Sequence, residues 1–200
     1  MRLGLFGGTF DPVHLGHLIL AEITLEKLGL DQIWFLPSGS PPHKQKEEIS
    51  SEKARTEMLE FAIAGDKRFS INRMEFEREG PTYTYETVKI LKEENPEDEF
   101  FFIIGADSLK DFPGWKHPER IVEKASVVAV NRGLLSQDEM QELKSKLPKT
   151  LVNHVKIISM PGIDLSSTEI RKRIKEGKSI RYMVPHAVEA YIHQHKLYQD

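Results

Sequence analysis

Two imidazoles stand three residues apart just behind a pair of glycines, in Gly7-Gly8-Thr9-Phe10-Asp11-Pro12-Val13-His14-Leu15-Gly16-His17. The run Leu3 to Phe6 before them reads as a short buried strand, and His14 to Leu28 as a helix. Adjacent glycines allow a tight turn and a close approach of backbone to ligand. A helix start offers free N–H groups and a dipole that favours phosphate. His14 and His17, if both lie in the first turn, share one face of that helix. Gly16 between them leaves room for a nucleotide. Imidazoles aimed at one point donate hydrogen bonds to phosphate, more strongly when protonated. A lone histidine would read as an ordinary surface or core residue; this whole string behind a strand reads as a phosphate site.

Other phosphate and metal chemistries fit these residues less well. No Gly-x-x-x-x-Gly-Lys-Ser/Thr string occurs. The glycines at Gly4, Gly7 and Gly8 do not make Gly-x-Gly-x-x-Gly, and Pro37-Ser38-Gly39 after the second strand supplies no acid for a ribose, which disfavours a dehydrogenase. A zinc site would need a third ligand such as His43, which sits in a Pro- and Lys-rich loop that repels cations.

A second constellation lies late in the chain, Leu165-Ser166-Ser167-Thr168-Glu169-Ile170-Arg171-Lys172-Arg173. Ser166 or Ser167 is a natural N-cap. Arg171, about one turn in, could reach back over the helix start. From Ser166 to Arg181 there are six basic and two acidic residues, a local +4 in a chain of formal charge −3. By itself the segment reads as a capped basic surface helix; beside the histidine loop it reads as a second phosphate patch.

These residues need a scaffold. Strands are expected at Leu3–Phe6, Gln32–Leu36, Phe69–Asn72, Glu99–Ile104, Ser126–Val130 and Val155–Ile158. Helices are expected at His14–Leu28, Ser51–Ala64, Thr84–Glu94, Gln137–Leu147, Ser167–Lys175 and Pro185–His195. The alternation implies an α/β fold, a doubly wound Rossmann-like parallel sheet of about five to six strands with helices on both faces. A small helical element from about 166 to 200 completes a single domain spanning 1–200. Ligands of such sheets bind at the carboxyl ends of strands, where strand order reverses.

With 200 residues, 39% hydrophobic and 30% charged, the chain has the composition of a globular domain. It has no cysteine, which excludes disulfides, thiolate zinc sites and cysteine nucleophiles and fits a cytoplasmic setting. No apolar run approaches ~18 residues, and the N-terminus lacks signal-peptide character, so no membrane span is expected. The net charge and the lack of a recognition motif disfavour nucleic-acid binding. The sequence leaves the oligomeric state open, and a homo-oligomer is compatible with it.

The two motifs resemble the nucleotidyltransferase superfamily marked by His-x-Gly-His early and Ser-Ser-Thr-x-Ile-Arg late. Both patterns are complete, in the same order and spacing. The chain is most similar to bacterial nicotinate-nucleotide adenylyltransferases. Leu36-Pro37-Ser38-Gly39-Ser40-Pro41-Pro42-His43-Lys44, Glu79-Gly80-Pro81-Thr82-Tyr83-Thr84, and Ile103-Ile104-Gly105-Ala106-Asp107-Ser108 with Phe112 and Trp115 carry this finer match.

The resemblance implies attack by the 5′-phosphate of nicotinate mononucleotide on the α-phosphorus of ATP, releasing pyrophosphate with no covalent intermediate. It implies that His14, His17 and Arg171 are catalytic, and that Gly7, Gly8, Thr9, Phe10, Gly105, Asp107, Ser166, Ser167 and Thr168 join them in binding ATP. Lys44, Thr82, Tyr83, Asp107 and Trp115 would bind the mononucleotide, with Trp115 stacked on the pyridine. Mg²⁺ would ride on the ATP phosphates with no protein cage. The rival readings are adenylylation of phosphopantetheine or another mononucleotide, and a non-catalytic adenine-nucleotide sensor.

Overall fold

The computed structural model describes residues 1–39, 49–133 and 135–199. The Pro- and Lys-rich loop that carries His43 and Lys44 falls largely outside them. In chain order the elements are β1 (Arg2–Gly8), α1 (Leu15–Leu28), β2 (Gln32–Pro37), α2 (Glu52–Ile63), β3 (Phe69–Ile71), α3 (Thr84–Glu94), β4 (Glu99–Gly105), α4 (Ala106–Leu109), α5 (Pro118–Val122), β5 (Ala125–Asn131), α6 (Gln137–Ser145), α7 (Lys149–Val152), β6 (Val155–Ser159), α8 (Ser167–Lys175) and α9 (His186–Gln194). A 3₁₀ turn, Phe112–Gly114, lies between α4 and α5. All expected strands and helices are present. The short α4, α5 and α7 had no readable signal, because one turn is too short to show a period of 3.6.

Six parallel strands form one sheet in the order β3-β2-β1-β4-β5-β6. The order reverses between β1 and β4, where Phe6 pairs with Phe35 on one side and Ile103 on the other. The crevice of a doubly wound sheet opens there, at the carboxyl ends. Among the described residues, no helix is long and apolar enough to cross a membrane.

The continuous apolar strands bury both faces, as parallel strands do. In β4 successive side chains alternate between two cores. Phe101 and Ile103 join Phe6, Ile33 and Phe35 against α1, α2, α8 and α9. Phe100, Phe102 and Ile104 join Leu3, Leu5 and Leu36 against α3 to α7. Ile170, Ile174, Val188 and Ile192 of the last two helices sit in the first core. At roughly 1.5–3 kcal/mol for each large side chain taken from water, that burial fixes α8 against the sheet. Gly29 ends α1 with a left-handed φ of 58°, the usual glycine stop.

Candidate active site at the β1–β4 crevice

Gly7 and Gly8 do not make the turn expected of them. They complete β1 in register with Leu36 and Pro37, and neither has positive φ. The chain turns instead at Phe10, whose φ is 51°, followed by a cis Asp11–Pro12 bond. A left-handed non-glycine residue costs about 1–2 kcal/mol. Burial offsets that cost: the Phe10 ring is 2% exposed and meets Phe6, Phe35 and His17 edge-on at 5.0–5.6 Å between centroids. Phe10 therefore anchors the loop with its side chain.

His14 is the N-cap of α1 and His17 lies three residues on. Their rings stack with centroids 3.7 Å apart and an interplanar angle of 21°. The His14 backbone N–H donates to His17 Nδ1 at 3.2 Å. A neutral imidazole that accepts at Nδ1 carries its proton on Nε2, so His17 presents an N–H donor from the far side of its ring. A Cβ on residue 16 would lie 3.0 Å from the His14 ring, so the glycine there lets that ring pack.

Burial favours the neutral form of both imidazoles. Burial lowers His14 from the ordinary 6.5 to about 4, with help from the nearby Arg132 charge. Burial, then His14, then Arg132 hold His17 well below its ordinary range. Gathering the positive charge for a polyanion therefore falls to arginine. Arg132, directly after β5, lies close enough to act electrostatically on both histidines. Its Nη1 donates to the Leu165 carbonyl at 3.2 Å, and Nη2 lies 3.9 Å from Asp107 Oδ1. Sequence reasoning missed this residue. Its signal was its place at the carboxyl end of a central strand, on the ligand side of the sheet.

The Ser-Ser-Thr segment packs directly on the glycine loop. Ser166 is the N-cap of α8, its hydroxyl accepting from Glu169 N–H at 3.1 Å. Ser167 Oγ donates to the Pro12 carbonyl at 2.9 Å, and Arg171 Nη1 to the Asp11 carbonyl at 2.7 Å. Thr168 is exposed beside them. The basic stretch divides, however. Lys172, Arg173 and Lys175 fall in the last turn of α8, away from Ser167, where cations complement the helix dipole. The N–H of Leu15 is also already bonded, to the Met183 carbonyl at 2.9 Å, so the start of α1 offers fewer free donors than expected.

Gly105 ends β4 and precedes α4, placing Asp107 in that helix's first turn with its side chain 71% exposed. Trp115 packs edge-on against Phe102 and Phe112 at 6.1 and 5.5 Å. The Phe102 ring in turn lies beside Gly7, since a Cβ there would approach it at 3.6 Å. The Phe102 ring thus joins Trp115 to the glycine loop. Thr82 is 8% exposed and its hydroxyl has no hydrogen-bond partner among the described residues, while Thr87 Oγ1 donates at 2.9 Å to the half-buried Glu75 carboxylate, whose pKa burial raises. Tyr83 caps α3 and lies under Lys116 Nζ, 3.9 Å from the ring centroid. The start of α3 and the ammonium group of Lys116, the residue after Trp115, thus come together here. Lys44 lies outside the described residues.

The cytidylyltransferase-like family model matches residues 5–173. The chain is 45% identical over 199 residues to a probable nicotinate-nucleotide adenylyltransferase of Thermus thermophilus, covering 100% of each. It is 43% identical over 197 residues to the Geobacillus thermodenitrificans protein of the same description, covering 98% of this chain and 86% of that one. A solved structure of the Plasmodium falciparum nicotinic acid mononucleotide adenylyltransferase complexed with NaAD shares the fold. Its TM-score is 0.79 at 23% identity, covering 98% of this chain and 97% of that one.

Proposed function

The chain belongs to the nicotinate-nucleotide adenylyltransferases of the cytidylyltransferase-like family, and we infer that it transfers the AMP moiety of ATP to nicotinate mononucleotide, yielding nicotinate adenine dinucleotide and pyrophosphate. The observation that carries this reading is the stacked, neutral His14–His17 pair at the crevice, close to Arg132 and bordered by Ser167 and Arg171. Donors fixed by a helix cap, a buried core and a second helix suit a reaction that needs positioning and charge stabilisation more than covalent chemistry.

His17 Nε2–H donates to an α-phosphate oxygen as charge builds on it. A neutral donor suits this step, because nothing must be protonated before ATP arrives. Arg132 and Arg171 balance the charge of the leaving pyrophosphate, and Ser167 and Thr168 border it. Gly7, Gly8 and Thr9 bring backbone close to the nucleotide, and Gly105 and Asp107 flank it from β4. Among the described residues no cluster of three His, Asp or Glu side chains could hold a metal. Mg²⁺ would ride on the ATP phosphates with its own waters, where it would supply further charge neutralisation.

Trp115 stacks on the pyridine ring. Its carboxylate meets the backbone around Thr82 and Tyr83, at the start of α3, with the Lys116 ammonium alongside. Lys44 serves the phosphates from the other wall. The mononucleotide phosphate then attacks in line, and pyrophosphate departs toward α8. The test is to incubate the purified chain with MgATP and nicotinate mononucleotide and to identify products by mass. Dinucleotide and pyrophosphate in equal amounts are expected; ATP bound but unconsumed would leave only a nucleotide sensor.

A further inference from the structure

Asp11 is 2% exposed at the crest of the phosphate loop, and the steps above give it no role. Its carboxylate accepts from the Tyr198 hydroxyl on Oδ1 at 2.5 Å and from the Ser50 N–H on Oδ2 at 3.1 Å. Tyr198 is 187 residues away in sequence and lies beyond the stretch matched by the family model. Beneath the loop, Arg55 is 1% exposed and donates to the carbonyls of Thr9 (3.0 Å), Ser38 (2.7 Å) and Ser50 (3.2 Å). Its buried charge is balanced by Asp11, and the Phe76 ring covers it at 4.9 Å. With Arg171 on the Asp11 carbonyl and Ser167 on that of Pro12, the loop before His14 is tied from three directions.

The chain after α9 is bent to make this contact. Lys196 and Tyr198 have φ of 52° and 61°, left-handed values that cost about 1–2 kcal/mol each in non-glycine residues. Leu197 and Tyr198 pack on the first core, and Leu197 N–H closes back on the Ile192 carbonyl at 3.0 Å. Burial and the Asp11 charge raise the Tyr198 phenol, so it keeps its proton and remains a donor. A donor held on a buried carboxylate is among the stronger hydrogen bonds available to a protein.

We propose that Tyr198 is a positioning residue for adenylyl transfer, latching the segment after α9 onto Asp11 and so setting the place of His14 and His17 in the crevice. This rests on reading the loop as the ATP phosphate site. Asp11 is three residues from His14, so freeing its carboxylate lets the cap of α1 shift. Preorganised donors act only when held within roughly 0.5 Å of the productive geometry. Ground-state binding of ATP, spread over many contacts, depends on the latch far less than transition-state stabilisation does.

The test uses the full chain with Tyr198→Phe, Asp11→Asn and the double variant. Tyr198→Phe keeps the ring and removes only the hydroxyl. Its kcat should fall about tenfold or more while the KM for ATP stays within about threefold, the split expected for loss of positioning. In the Asp11→Asn background it should cost less than about twofold more, since both changes break one contact. Amide hydrogen exchange across residues 9–17 should quicken in Tyr198→Phe with no nucleotide present. A kcat within about twofold of the wild type, multiplicative losses in the double variant, or unchanged exchange would each overturn the latch. Should the wild type make no dinucleotide, the proposed function falls instead, and the exchange measurement still decides the latch.

Discussion

Acidification should strip stability from this fold through His14 and His17. His14 is 2% exposed and held neutral, lowered from 6.5 to about 4. Between those values the unfolded chain binds a proton that the folded chain refuses. Stability from this residue is therefore complete above about pH 6.5 and is lost as pH falls toward about 4. The full shift corresponds to about 3 kcal/mol, of which ~2 kcal/mol should be lost between about pH 7 and pH 5. His17 contributes with the same sign. Glu75 opposes it, because burial raises its pKa and its carboxyl costs stability as pH rises. The assay is urea unfolding of the wild type and of His14→Gln, whose neutral amide cannot titrate, at both pH values. The wild type should lose ~2 kcal/mol more than the variant on acidification. Equal losses, or a His14 resonance titrating above about pH 6, would refute the argument that burial keeps this imidazole neutral.

Other outcomes follow from the same geometry. His17→Ala should lower kcat by about 10²–10³-fold with nearly unchanged unfolding, while His17→Gln, which can return a donor near the Nε2 position, should recover part of that loss in steady-state assays. A loss below about threefold in His17→Ala would remove its assigned role. Because the pair is neutral, kcat should not fall as pH rises from about 6 to 8, and a pH–rate profile showing loss of an imidazolium there would contradict the site. Trp115→Ala should raise KM for the mononucleotide and leave that for ATP; equal effects on both would make it purely structural. Gly16→Ala should push its Cβ into the His14 ring and cost activity far more than melting temperature, measured on one preparation.

The parts of this site that are close in sequence were readable there, and those joined only by the fold were not. The strand, loop and helix around His14 and His17 announce themselves through local spacing, as does Ser166 as the cap of α8. The protonation of the histidines does not, because burial by Phe10 and the flanking helices is a property of the packed chain. Arg132 reads in sequence as a loop arginine; only the β4–β5 pairing carries it to Asp107 and the histidines. Tyr198 and Asp11 are too far apart along the chain for any pattern to join them. The glycine pair was misread for a related reason. Gly7 and Gly8 could turn, but pairing with β2 keeps them extended and moves the turn to Phe10.

Adenylyl transfer to an acid is tested most directly by kcat/KM for nicotinate against nicotinamide mononucleotide, followed by pyrophosphate release with MgATP. A carboxylate met by α3 and Lys116 should favour the acid by about 10–150-fold, the range of hydrogen bonds to a charged group. Equal values for the two would contradict the carboxylate site, and no release with either would contradict the function itself.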